Sequence, residues 1–252
     1  MSTLGLARSS LNVINVRKVP SVALASPMYL IERGQLKIYK KLKTAYGHYL
    51  LEGSLQQPQE VNCLCIDKTG YFAYTGSDDG LVKCWYLMTG QLIDSLRCFH
   101  PITDLTISPD NVYLAAGTLI GELRFWSREK LVKIRTVSLG SSSINNIKWW
   151  NAPNFLYALA CSDKSIFIYS LKDIEEKRDL IACICLNTPV EVFSLGINEQ
   201  GYLAAGLNTG KIVFWKINKS QDKKQLTATY LFDLQENQKK TYLMEWSPID
   251  PL

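Results

Sequence analysis

At 252 residues, with 47% hydrophobic and 20% charged side chains, the chain has the length and composition of a soluble protein with a sizeable core. A net charge of +5 favours acidic partners only weakly, and two histidines exclude a histidine-rich metal site and leave few options for Cys–His catalysis. Seven cysteines without framework spacing sit mostly in apolar runs, which reads as reduced core thiols and a cytosolic or nuclear protein.

The N-terminal "MSTLGLARSSLNVINV" lacks the charged flank and long apolar core of a signal peptide. From its second half, Leu11 to Arg17 alternates like a strand and is expected to pair with C-terminal structure. The first full unit follows as "SVALASP", "MYLIE" and "GQLKIYKKL", three short strands with turns between them. Its last strand ends in Tyr39 and is dense in lysine. The second unit reads "VNCLCID", "YFAYTGS", "GLVKCWYL" with Trp85, then the more variable "QLIDSLRCF". Asp-Gly at its tip supplies a turn that tolerates positive φ. The third reads "ITDLTISPD", "VYLAAGT" and "GELRFWSR" with Trp126; the fourth, "INNIKWW", "LYALACS" and "KSIFIYSL" with Tyr169. "KDIEEKRD" (Lys172 to Asp179) and "NKSQDKKQ" (Asn218 to Gln225) fit surface loops. The fifth unit is "FSLGINE", "YLAAGL" and "GKIVFWKI" with Trp215, and "TYLMEWSPIDPL" begins a sixth. The most apolar run, Leu180 to Leu186, is too short to span a bilayer.

Tyr39, Trp85, Trp126, Tyr169 and Trp215 recur about every 41–46 residues, each ending the third strand of its unit. Four short strands per period with such an aromatic are the signature of WD40 propeller blades. The fold expected is therefore all-β, a single WD40 β-propeller domain over residues 1–252, with five complete blades and a partial sixth. By that resemblance Asp79 and Asp163 would be the tight-turn acids of the blades' internal hydrogen-bond networks; Ile120 and Thr209 replace the acid in the third and fifth units. His100 is the one survivor of the Gly-His that precedes the first strand in such blades. Cys63/Cys65 and Cys183/Cys185 are one residue apart, which suits strand packing better than zinc. No cofactor and no metal are called for, and the chain reads as a binding protein.

The densest basic cluster is Lys37, Lys40, Lys41 and Lys43, with Arg33 just upstream. It is either a solvated blade edge guarded against strand addition or a surface that contacts phosphates.

Three stretches resemble one family more specifically: the link "KLKTAYGHYLLEGSLQQPQEVNCLCI", the second unit "YFAYTGSDDGLVKCWYLMTGQ", and the fourth, "WWNAPNFLYALACSDKSIFIYSL". They are similar to the receptors for activated C kinase, seven-bladed scaffolds on the head of the small ribosomal subunit. The resemblance implies a cytoplasmic, ribosome-associated scaffold. It would contact ribosomal RNA and small-subunit ribosomal proteins and offer its outer face to signalling or translation factors, with no membrane partner. In that family a basic pair in a first-blade Arg-Asp-Lys turn docks on RNA. Here the turn reads Glu32-Arg33-Gly34, so Arg33 stands for one cation, and Lys37, Lys40 and Lys41 are the substitutes for the other. Seven units would need roughly 300 residues at this period, more than the chain has. The other reading is a propeller subunit of another assembly, such as an initiation factor or a vesicle coat, without direct RNA contact.

Overall fold

The computed structural model describes residues 28–32, 35–41, 49–55, 59–152, 155–171, 184–219, 226–235, 241, 244 and 246. Arg33, His48, Lys43, the Leu11–Arg17 segment and residues 172–179, expected as a surface loop, lie outside the described residues.

Among the described residues, five antiparallel sheets follow one another, each built from strands adjacent in sequence. The first holds β1 (Met28–Glu32), β2 (Gln35–Lys41) and β3 (Tyr49–Leu55). The second holds β4 (Val61–Ile66), β5 (Phe72–Ser77), β6 (Leu81–Tyr86) and β7 (Gln91–Arg97). The third holds β8 (Ile102–Ile107), β9 (Tyr113–Thr118), β10 (Glu122–Ser127) and β11 (Lys133–Ser138). The fourth holds β12 (Ile144–Ala152), β13 (Phe155–Ser162), β14 (Ser165–Ser170) and β15 (Ile184–Asn187). The fifth holds β16 (Val192–Ile197), β17 (Tyr202–Leu207), β18 (Lys211–Lys219) and β19 (Leu226–Gln235).

The inner strands β4, β8, β12 and β16 stand side by side in order, so each sheet packs face to face on the next. In the second sheet the middle strand β6 is therefore covered on both faces: Val82 and Cys84 point one way, Lys83 and Trp85 the other, and all four are buried. Among the described residues, a core fills each seam from the second sheet to the fifth. Tyr74, Val82, Ile102 and Leu114 lie between the second and third sheets. Phe125, Ile144, Ile147 and Ala160 lie between the third and fourth, and Leu159, Ile166, Leu195 and Leu203 between the fourth and fifth. Phe125 is wholly buried, which by area alone stabilises the fold by about 2–3 kcal/mol.

Glycines on the second strands let the next inner strand come close. A Cβ at Gly76 would stand 2.5 Å from Ile102 Cγ2, and one at Gly117 2.6 Å from Ile144 Cγ2. Cys161 takes the corresponding place in the fourth sheet.

Two irregularities repeat with the sheets. The inner-strand register shifts at Val61/Cys63, Ile102/Asp104, Ile144/Asn146 and Val192/Ser194. Each bulge leaves one residue out of the ladder, and three of these residues reach across the seam. Asn62 Nδ2 donates to the Ile102 carbonyl (3.0 Å), Thr103 Oγ1 to that of Ile144 (2.6 Å) and Asn145 Nδ2 to that of Val192 (2.7 Å). The fourth bulged residue is Phe193, whose side chain offers no such donor, and Ser194 Oγ donates to the Thr241 carbonyl instead (2.9 Å). The second shift falls at the third-strand aromatic, at Ile38/Tyr39, Cys84/Trp85, Phe125/Trp126 and Phe214/Trp215.

Thr241, Met244 and Trp246 lie against the far face of the fifth sheet, over Gly206 and Gly196, where a sixth unit would begin. Trp246 meets Phe214 edge-on, and Phe214 stacks on Phe232 with centroids 4.7 Å apart.

Candidate docking surface

One end of the sheets carries the turns between second and third strands together with the connections that pass from one sheet to the next. In the second sheet the turn is Asp78-Asp79-Gly80. Asp79 accepts hydrogen bonds from the Ser77 hydroxyl, the Leu81 N–H (2.9 Å) and Lys83 Nζ (3.3 Å). Burial works to raise this carboxyl, but those bonds outweigh it and hold it below the usual carboxylate range. Trp85 Nε1 donates to Thr75 Oγ1 at 2.9 Å, which fixes the ring within its sheet. His100 is not among the partners of Asp79; buried Lys83 has that role.

Asp163 differs from Asp79. Its turn, Asp163-Lys164, is one residue shorter than Asp78-Asp79-Gly80, so the acid falls on the exposed tip with φ of 50°. Its carbonyl accepts the Val192 N–H across the seam (2.8 Å). The inward bond here comes from Ser162 Oγ to the Ser142 carbonyl (2.8 Å).

The connection Cys98-Phe99-His100-Pro101 joins the second and third sheets at this same end. Cys98 N–H donates to the Gly80 carbonyl (2.7 Å), and the Leu119 N–H donates to the Pro101 carbonyl (3.0 Å), so both flanking turns grip it. Between them Phe99 adopts φ of 68° and is 69% exposed. Two guanidinium groups face its ring, Arg97 at 5.7 Å and Arg124 at 5.8 Å from the centroid. Arg124 is buried and held by Glu122 (2.6 Å) and by the Arg97 carbonyl (3.1 Å). Arg97 is exposed and makes no ion pair among the described residues. The adjoining turn exposes Leu119 and Ile120.

At the opposite end, Asp67 is buried where the second sheet meets the third. It accepts from Thr69 Oγ1 and the Phe72 N–H and faces Arg128 at 3.5 Å. Arg128 Nε also donates to the Asn111 carbonyl (2.6 Å). A groove of about 270 Å³ opens beside it, lined by Phe72, Tyr74, Cys84, Ile93, Arg128 and Leu131.

Of the basic residues expected to meet RNA, Lys37, Lys40 and Lys41 all fall on β2, the middle strand of the first sheet, and Arg33 lies outside the described residues. The recurring aromatics each take the corresponding strand of a separate sheet: Tyr39 on β2, Trp85 on β6, Trp126 on β10, Tyr169 on β14 and Trp215 on β18. The Phe99 cluster was not anticipated from sequence. Its one sequence signal is the arginine pair Arg97 and Arg124, which looks like ordinary strand charge until the connection is in place.

These stacked four-stranded sheets with their repeating seams define a WD40 β-propeller fold. The family model described as WD domain, G-beta repeat matches residues 40–86. That segment runs from the end of β2 to the end of β6, so one repeat contributes the outer strand of the first sheet and three strands of the second. A bromodomain and WD repeat-containing protein of Dictyostelium discoideum is 38% identical over 157 residues, 60% of this chain and 6% of the relative. The U3 small nucleolar RNA-associated protein 21 homolog of Schizosaccharomyces pombe is 27% identical over 124 residues, 48% of this chain and 14% of the relative. The chain thus spans a small part of the length of both. It carries WD40 repeats, and its role is to be sought on the surface they build.

Proposed function

We propose that the chain is a non-enzymatic docking scaffold of an RNA-containing particle, attached through the basic strand of its first sheet. The observation that carries this reading is the lysine density of β2, where Lys37, Lys40 and Lys41 share a seven-residue strand. Contacts of this kind position a protein on phosphates without reading sequence. Arg33 adds a guanidinium able to make paired hydrogen bonds to one phosphate. The particle in this proposal is the small ribosomal subunit or its precursor, with ribosomal RNA and small-subunit ribosomal proteins as neighbours in the cytoplasm. Translation or signalling factors would dock on the remaining face. Support comes from the resemblance to the receptors for activated C kinase and from a relative named as U3 small nucleolar RNA-associated.

A second reading, a WD-repeat subunit of another assembly with protein contacts alone, is favoured by the higher identity to a bromodomain-containing relative. Co-sedimentation of the full chain with small ribosomal subunits separates the two. Replacing Arg33 and Lys37 together by Glu is expected to release the protein from the subunits while leaving its melting temperature nearly unchanged. Undiminished co-sedimentation of that variant at moderate salt contradicts the RNA attachment.

A further inference from the structure

The seam between the second and third sheets carries a feature that neither the repeat nor the basic strand explains. A bulky residue in the left-handed region costs conformational energy that glycine would avoid, and Phe99 bears that cost at φ of 68°. Burial does not repay it, because the ring is 69% exposed. The backbone around it is nevertheless fixed, by Cys98 N–H on Gly80 and by Leu119 N–H on Pro101. The result is an aromatic ring held out from a rigid base, with two guanidinium groups near 6 Å from it.

The surroundings state what would suit it. Leu119 (51% exposed) and Ile120 (38%) on the adjoining turn add apolar surface. Glu122 neutralises Arg124 and Lys83 meets Asp79, so Arg97 is the cation left without a carboxylate among the described residues of this patch. Aromatic and arginine side chains are enriched in protein interfaces and their hot spots, and exposed aliphatic ones beside them add apolar contact area. We infer that Phe99, Arg97, Leu119 and Ile120 form a docking site for an acidic peptide segment, an apolar side chain of which packs on Phe99 while a carboxylate pairs with Arg97. Aliphatic residues in the patch, and a single free cation, favour such a peptide over a nucleic acid, which needs several cations along its backbone. The site stands on the second and third sheets, apart from β2, and does not depend on the RNA reading.

The test uses the full chain against an array of short random peptides, with U-rich single-stranded RNA as a separate probe. Wild type is expected to retain peptides that combine acidic residues with an aromatic or aliphatic one. Phe99→Gly and Arg97→Glu should each weaken those peptides about tenfold or more. Phe99→Gly should also hold or raise the melting temperature, since glycine relieves the backbone. Four results overturn the site: no peptide retained in a Phe99-dependent way, selection of basic peptides, a marked fall in melting temperature for Phe99→Gly, or Phe99-dependent binding of the RNA alone.

Discussion

Asp104 Oδ2 accepts the backbone N–H of Ile147 at 2.6 Å, a bond that crosses the seam from the inner strand of the third sheet to that of the fourth. Asn146 Nδ2 adds a second seam bond to the same oxygen (2.9 Å), and the Leu105 N–H donates to Oδ1 (2.9 Å). The next sheet repeats the relation, with Asn146 Oδ1 accepting the Leu195 N–H at 3.0 Å. A carboxylate and an amide thus do the same job at successive seams.

The two differ in how they answer to pH. Burial pushes the Asp104 carboxyl up to about 6, against the hydrogen bonds from Ile147, Leu105 and Asn146 and the charge of Lys148. An acid whose folded pKa is raised contributes stability that is complete below its unfolded value, near 4, and is lost as pH rises through about 6. Wild type is therefore expected to lose on the order of 2 kcal/mol from this group between pH 4 and 7, relative to Asp104→Asn, which cannot titrate. Thermal melts of the two proteins across that range check it; parallel pH profiles would contradict it.

Trp85 couples a buried ring to a hydrogen bond on Thr75. Trp85→Ala is expected to cost about 3–5 kcal/mol, enough to threaten a marginal fold. Trp85→Phe keeps much of the packing and loses the bond, for a cost nearer 1–2 kcal/mol. Denaturant unfolding of the pair separates the two contributions.

Gly117 is a steric prediction of a different kind. A Cβ there would meet Ile144 Cγ2 and Cβ at 2.6 and 2.8 Å, so the fourth sheet's inner strand must move. Gly117→Ala should destabilise by about 1–3 kcal/mol, as overpacking in a close-packed core does. A melting temperature equal to wild type would mean that the seam is looser than these distances require.

Arg128 ties two sheets through buried Asp67. Removing it strands a carboxylate that retains only the Thr69 and Phe72 bonds. Arg128→Met is expected to cost about 3 kcal/mol, and Asp67→Asn in the same chain to recover part of that loss. A double-mutant cycle in urea measures the coupling, and strictly additive effects would remove the tie from the account.

The repeat was legible in the sequence because its signals are local. The aromatic that ends each third strand recurs at near-constant spacing, with a Gly-bearing turn before it in every unit but the fourth, and Val82 to Trp85 reads as a strand wherever it is met. The seams were not legible, because they join residues about forty positions apart, such as Asn62 with Ile102 and Asp104 with Ile147. Nor does an amino-acid string disclose that a register shift frees Asn62, Thr103 and Asn145 from their ladders. Asp163 shows the limit of motif alignment: one residue fewer in its turn converts an expected inward acid into an exposed tip. Phe99 was missed because nothing in "RCFHP" marks a left-handed phenylalanine, a conformation imposed by the two turns that grip the connection.

The proposed attachment of β2 to RNA is tested most directly by the salt dependence of binding to naked small-subunit ribosomal RNA fragments, measured by fluorescence anisotropy. The logarithm of the binding constant is expected to fall linearly with the logarithm of salt concentration. Replacing Lys37, Lys40 and Lys41 by Gln should make that slope shallower by about 0.7–0.9 for each phosphate that is no longer neutralised. A binding constant flat across salt, or a slope unchanged in the triple variant, would contradict it.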